Sequence, residues 1–133
     1  MLDEQIDAIR RAADEVARED GRFRARLAAM YIHTGGVECE YSAPMPRDVG
    51  RYLQNHRQLG ERFIEKEHDN ATGWNFWRLI YPADVAEEPG EMQSVDCRDC
   101  DWSCESPFHS RLDEFAAEHE AAEEHTVTER SSA

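Results

Sequence analysis

Lysine and long apolar runs are nearly absent from this chain of 133 residues. Lys66 is its one lysine, beside fourteen arginines. No segment approaches the roughly eighteen consecutive apolar residues that mark a membrane-spanning helix. Residues 1–20 are charged and periodic, which is unlike a signal peptide. The sequence therefore predicts a cytoplasmic protein without membrane contact, whose cysteines stay reduced.

Catalytic motifs are missing as well. The chain contains no glycine-rich phosphate loop, no nucleophile elbow and no cluster of acidic metal ligands. A chain of this size divided into two parts also leaves little room for a substrate pocket of about 300 Å³ or more. We therefore predict that the protein is not an enzyme.

Four residues near the C-terminus have the order and spacing of zinc ligands. Two residues separate Cys97 from Cys100, eighteen then precede His119, and five more precede His125. A structural zinc ion takes four tetrahedral nitrogen or sulfur ligands, and this set supplies all four without a position for water. The spacing predicts one structural Zn²⁺ held by these four side chains.

The residues around these ligands predict a small ββα unit. Ser94 to Asp96 and Asp101 to Ser103 are expected to form a hairpin around the cysteine turn, and Pro107 to open a helix. Apolar residues recur three or four apart along that helix as far as His119: Phe108, Leu112, Phe115 and Ala116. The segment from Cys97 to His125 resembles the two-Cys two-His zinc finger family.

Several alternatives concern the same residues. Cys104 or His109 is near enough in sequence to replace one of the named ligands. A second alternative is that the cysteines are free thiols in a small acidic helix-hairpin. A third is a redox pair, but that requires a βαβ unit, which the pattern lacks. Cys39 is expected to be a small buried hydrophobe. Because His119 and His125 lie about 600 degrees apart on a helix, the helix must tighten or end between them.

Acidic residues outnumber basic ones by 29 to 15, which gives a net charge of -14. Excess carboxylate with almost no lysine resembles proteins of salt-accumulating haloarchaea and their viruses, where salt shortens the Debye length to about 3 Å. An acidic protein from a GC-rich mesophile is the alternative. Residues 1–81 carry a net charge of -2 and residues 82–133 carry -12. Because phosphate binding needs Lys or Arg, the acidic half is predicted to contact protein or to serve as a stability module.

Proline, glycine and acidic residues between the two halves are typical of a linker. A brief strand is expected at Thr126 to Thr128. The predicted organisation is a winged-helix-like domain with an extra N-terminal helix at 1–81, an acidic linker at 82–93, a zinc finger at 94–128 and a disordered tail at 129–133.

Hydrophobic periodicity predicts the elements of the first half. Apolar residues spaced by four and three indicate a helix from about Asp3 to Glu19. A second helix is expected to bury one face and to stop at Gly35; that face holds Phe23, Leu27, Met30 and Tyr31. The elements predicted next are a strand at Val37 to Tyr41, a helix from Pro46 to about His56, a break at Arg57 to Gly60 and a helix at Glu61 to His68.

Two short helices joined by a tight turn are typical of a helix-turn-helix, and the β-rich run Trp74 to Tyr81 follows them. The run Pro46 to Leu53, with Trp74 to Leu79 downstream, resembles small winged-helix proteins of haloarchaea over about residues 23–81. The resemblance implies that the helix at Glu61 to His68 enters the DNA major groove. The predicted fold class is α+β: a winged helix-turn-helix with an extra N-terminal helix, followed by a ββα-type zinc finger.

Arginines of the first half are the candidates for phosphate contacts. Their alternative role is to pair with surface carboxylates. The candidates are Arg47, Arg51, Arg57, Arg62 and Arg78. Together the patterns predict a DNA-binding transcriptional or genome-associated regulator, whose first half contacts double-stranded DNA and whose finger contacts protein. The alternative is an interaction adaptor that binds no DNA. The heptad-like first helix either forms a homodimer contact or covers the core.

Overall fold

A long amphipathic helix begins the chain, as the periodicity predicts. The computed structural model describes residues 2–40 and 42–132. Helix α1 spans Asp3–Asp20 and ends at Gly21, whose φ of 76° suits glycine and whose N–H donates to the carbonyl of Ala17 at 2.9 Å. Its inward face contributes to the larger core through Ala8, Ile9, Ala12, Ala13, Val16 and Ala17.

Only part of the face predicted for the second helix is buried: Phe23 is 1% exposed and Tyr31 packs against the larger core. Strand β1 (Arg22–Phe23) leads into α2 (Ala25–His33), which packs on α1. Leu27 and Met30, which we expected inside, are 39% and 50% exposed. The buried positions of α2 are Ala28, Ala29 and Ile32. Small alanine side chains allow the neighbouring helices to approach closely, and this packing overrides the larger apolar residues.

Helix α3 spans Pro46–Asn55 and confirms the prediction that Pro46 begins a helix. Val49 and Leu53 are buried on its inward face, and α3 packs against α2. The strand predicted at Val37 to Tyr41 is wrong over residues 37–40, which form no strand, while Tyr41 lies outside the described residues.

The helix predicted at Glu61 to His68 is a β-strand. Strand β2 (Gln58–Leu59) turns at Gly60 into β3 (Arg62–His68), which pairs with β4 (Asn75–Ile80). The expected recognition helix is therefore wrong, because these residues form an inner strand of the sheet, which pairs with β2, β4 and β6. Along β4, buried side chains alternate with more exposed ones, and Trp77 and Leu79 are among the buried ones.

The C-terminal half adds strands to the same sheet. After a 3₁₀ turn at Pro82–Asp84 come β5 (Gln93–Asp96), β6 (Ser103–Ser106) and α4 (His109–Glu123). The short strand β7 (Ser131–Ser132) pairs with β5, inside the stretch where we expected a disordered tail. The described strands form one antiparallel sheet in the order β1-β4-β3-β6-β5-β7, with β2 also beside β3. The chain is thus α+β, with four helices among the described residues.

Strand β3 joins the two halves. Its residues Lys66 to His68 pair with Ser103 to Glu105 of β6. Next to this strand pairing Glu65 is fully buried, and the guanidinium group of Arg111 on α4 donates hydrogen bonds to both of its carboxylate oxygens, at 2.5 and 2.9 Å. Ser106 donates its hydroxyl to the same carboxylate at 2.7 Å. The buried negative charge of Glu65 is therefore compensated by hydrogen bonds from Arg111 and Ser106, which belong to the other half of the chain.

Candidate metal centre and basic cleft

The two cysteines of the candidate metal centre lie on the turn between β5 and β6. The Cys97 N–H donates to the carbonyl of Trp102 at 2.9 Å, which closes the turn that also carries Cys100. Strands β5 and β6 pair on either side of these cysteines, but the second strand spans Ser103–Ser106, whereas it was expected at Asp101 to Ser103. His119 lies on α4 and His125 follows the end of that helix, so three separate segments bring the four side chains together.

The end of α4 explains how His125 reaches the site. The helix stops at Glu123, and Glu124 adopts a left-handed φ of 57° that turns the chain back. Thr126 then donates its N–H to the Asp99 carboxylate at 2.8 Å and accepts the N–H of Arg98 at 2.9 Å. The helix therefore ends between the two histidines, which is one of the two ways that their spacing allows. Val127 forms an isolated β-bridge with Cys97, inside the stretch Thr126 to Thr128 where a brief strand was expected.

Two sulfur–nitrogen distances among the four side chains match those of a tetrahedral metal site. Their ligand atoms all lie within 4.8 Å of one another. Cys97 Sγ is 3.4 Å from His125 Nδ1, and Cys100 Sγ is 3.4 Å from His119 Nε2. Metal–sulfur bonds of about 2.3 Å and metal–nitrogen bonds of about 2.0 Å at tetrahedral angles separate S and N by about 3.5 Å. The set is compatible with one bound metal ion.

Groups around the ligands hold them in place. Trp102 stacks on the His119 ring, with centroids 4.4 Å apart and planes 10° apart. The Asp99 N–H points at Cys97 Sγ at 3.4 Å. The Trp102 indole N–H donates to Glu67 of β3 at 2.8 Å. Such outer contacts orient metal ligands, and here they tie the centre to the shared sheet.

The alternative ligands lie outside the cluster. Cys104 is buried on β6, where burial, assisted by the charges of Glu65 and Glu67, raises the pKa of its thiol to about 12. His109 donates its ring Nε2–H to the carbonyl of Glu91 at 2.9 Å. Cys39 is half-buried against the larger core. The four predicted ligands are the group of Cys and His that the described structure brings together.

Three of the five candidate phosphate arginines are engaged with carboxylates. Their guanidinium groups are largely buried, and each lies within 2.7 Å of a carboxylate oxygen. The pairs are Arg57 with Glu105, Arg62 with Asp14, and Arg78 with Glu67. This pairing agrees with the alternative interpretation that the arginines pair with carboxylates, and the three do not share a cleft with the other two candidates.

Arg47 and Arg51 instead line a cleft of about 570 Å³ between the helices and the β3–β4 hairpin. Three more basic residues line it: Arg24, Arg26 and Lys66. We call these five residues the basic cleft. Within the described part of the chain no acidic side chain lines it, although Lys66 also lies 3.7 Å from a Glu105 oxygen at its rear. A neighbouring groove lined by Arg22, Arg24 and Arg26 also lacks carboxylates, whereas other grooves of the described surface contain residues such as Asp14 and Glu118.

Sequence reasoning missed Arg24 and Arg26. Arginine alternates with other residues at Arg22, Arg24 and Arg26, and that spacing is the signal that was available. The break from strand to helix between them turns both Arg24 and Arg26 toward the cleft, which a linear pattern does not reveal.

No helix in the described residues is long and apolar enough to cross a membrane. No protein-family model matches the sequence, and neither a curated protein nor a solved structure shows a significant match to it.

Proposed function

We propose that this protein binds DNA through the basic cleft and acts as a transcriptional or genome-associated regulator. The observation that carries the proposal is the location of charge: five basic residues share one cleft without an acidic neighbour in its lining, in a chain whose net charge is -14. A random distribution of so many carboxylates would place several there. A cleft lined by basic residues and free of carboxylates attracts a polyanion such as DNA.

The order of elements supports a winged helix. Helix α1, strand β1, helices α2 and α3 and the β3–β4 hairpin follow one another, and β1 pairs with β4. In this arrangement α3 is the DNA-facing helix and the hairpin is the wing. The proposed recognition helix is therefore Pro46–Asn55, and the proposal does not use the residues of β3 for that role.

Arg47 and Arg51 supply the proposed phosphate contacts. They lie one helical turn apart on α3, both are exposed, and neither forms an ion pair among the described residues. Free guanidinium groups at such a spacing displace counterions from a nucleic-acid backbone. The composition suggests a halophile, whose salt would weaken this attraction, so a concentrated set of arginines is an advantage there.

The C-terminal half is proposed to hold one structural Zn²⁺ and to face a protein partner. Two thiols and two imidazoles are the ligands that zinc prefers, and four protein ligands leave no open position for a reaction. Bound zinc would hold the cysteine turn on the end of α4. Acidic residues cover that helix and disfavour DNA there: Asp113, Glu114, Glu118, Glu120, Glu123 and Glu124.

Fluorescence anisotropy with labelled genomic fragments tests the proposal. The zinc-loaded full chain is used, because β3 pairs with β6 and joins the two halves. In high KCl, Arg47→Ala with Arg51→Ala should abolish binding. Arg11→Ala with Arg18→Ala removes the same charge from the exposed side of α1 and should leave binding intact. Equal binding by both double variants would contradict the basic cleft as the DNA site. No binding by the folded wild type would favour the interaction adaptor.

A further inference from the structure

Trp74 is a large aromatic residue that lies outside the core. It precedes β4, whose Trp77 is 3% exposed, whereas Trp74 is 45% exposed. The Trp74 side chain lines the basic cleft together with Gly73 and Asn75 at the end of the hairpin. This exposed indole offers a large apolar ring to a ligand in the charged cleft, and covering that ring would be favourable.

The turn that carries Trp74 is held by hydrogen bonds. Asp69 accepts the hydroxyl of Thr72 at 2.9 Å and, through its carbonyl, the N–H of Gly73 at 2.8 Å. The Asp69 N–H donates to the Trp74 carbonyl at 2.8 Å, and the Trp74 N–H donates to the Thr72 hydroxyl at 3.2 Å. Gly73 has a φ of 73°, which suits glycine. The indole is therefore presented from a fixed turn.

A guanidinium group covers part of the ring. The Arg24 guanidinium carbon lies 3.5 Å from the Trp74 ring centroid, within the range of a cation–π contact. Arg24 is itself one of the five basic residues of the cleft. Nearly half of the indole stays exposed beside this contact, so a flat group can stack on it while its attached phosphate meets the arginines.

We propose that Trp74 stacks on an unpaired base of the strand whose phosphates occupy the basic cleft, so that the preferred ligand contains a single-stranded segment. This inference rests on the proposed function. Bases in a duplex are stacked on one another and offer no free face, whereas every unpaired base offers one to an aromatic side chain.

The inference is tested by comparing the binding of one DNA sequence as a single strand and as a duplex. A labelled DNA strand of about 15 nucleotides is compared with its blunt duplex, using the zinc-loaded full chain at one KCl concentration. Trp74→Leu should weaken binding of the single strand about tenfold and leave duplex binding unchanged, and Trp74→Phe should retain most of the affinity. Tyr81→Leu is the matched control, because Tyr81 is 43% exposed and does not line the cleft.

The outcomes separate this inference from the proposed function. If Trp74→Leu weakens both forms equally or neither form, while Arg47→Ala with Arg51→Ala still abolishes binding, stacking is wrong and the basic cleft stands. If the folded wild type binds neither form, both proposals are overturned. Selective loss of the single strand supports both.

Discussion

Trp102 lies flat on the imidazole of His119, with ring centroids 4.4 Å apart and planes 10° apart. The same indole donates its N–H to Glu67 at 2.8 Å, and Glu67 also accepts hydrogen bonds from Arg22 and Arg78. One residue therefore connects a candidate metal ligand to strands β1, β3 and β4. The metal centre and the half that carries the basic cleft are parts of one packed structure.

Loss of a cysteine ligand should release the metal. We expect Cys97→Ser to leave less than one zinc per chain and to unfold residues 94–125, because the energy of structural zinc binding is also folding energy. Metal content by mass spectrometry and amide spectra of residues 94–125 measure the two effects.

Cys39→Ser is the matched control for that change, since Cys39 is half-buried and remote from the four ligands. It should retain one zinc and the wild-type spectrum. A Cys97→Ser protein with an unchanged metal content and an intact fold would show that the ligand assignment is wrong.

The ion pair between Glu65 and Arg111 should contribute strongly to stability. Arg111→Ala leaves the fully buried Glu65 carboxylate without its bidentate partner, and breaking such a pair costs about 3–5 kcal/mol. Urea unfolding of the zinc-loaded protein measures the loss. Arg130→Ala removes an exposed pair with Asp113 and should cost less than about 1 kcal/mol. Similar small losses for both variants would contradict the importance of the buried pair.

Glu67 should make stability depend on pH in the acid range. Burial alone would raise the pKa of Glu67, but hydrogen bonds from Trp102 and Arg78 and the charges of Arg78 and Arg22 lower it below its ordinary value of 4.5. A lowered pKa in the folded state stabilises the protein above the unfolded pKa, and this contribution is lost as pH falls through the folded pKa.

The difference in melting temperature between wild type and Glu67→Gln isolates that contribution, since any loss of the metal in acid affects both proteins. The difference should be constant above about pH 5 and should shrink below about pH 4.5. Glu61→Gln, an exposed neighbour on the same hairpin, should show no such trend. A constant difference down to about pH 3 would contradict the lowered pKa.

The clustering of the candidate metal ligands and the first helix were predictable from local patterns. A Cys-x-x-Cys turn fixes two ligands in a few residues, and the helical spacing of Phe108 and Leu112, both buried, correctly leads to His119. Helix α1 follows from a regular apolar repeat. In each case the signal lies within one element or one turn, so no distant partner is needed to interpret it.

Strand β3 was not predictable in the same way. Glu65 looks like a surface residue of a helix, yet it is fully buried because Arg111, 46 residues later in the chain, neutralises it. The pairing of β3 with β6 is equally non-local. The basic cleft was found only in part, since Arg47 and Arg51 are one turn apart on α3 whereas Arg24 joins them through the packing of α2.

The salt dependence of binding tests phosphate recognition by the basic cleft most directly. Each phosphate contact contributes about 0.7 to 0.9 to the slope of log affinity against log salt concentration. We predict that Arg47→Ala with Arg51→Ala lowers the magnitude of this slope by about 1.4 to 1.8 relative to wild type, measured at salt low enough for both to bind. Equal slopes for the two proteins would contradict phosphate contacts by these arginines, and with them the proposed DNA-binding function.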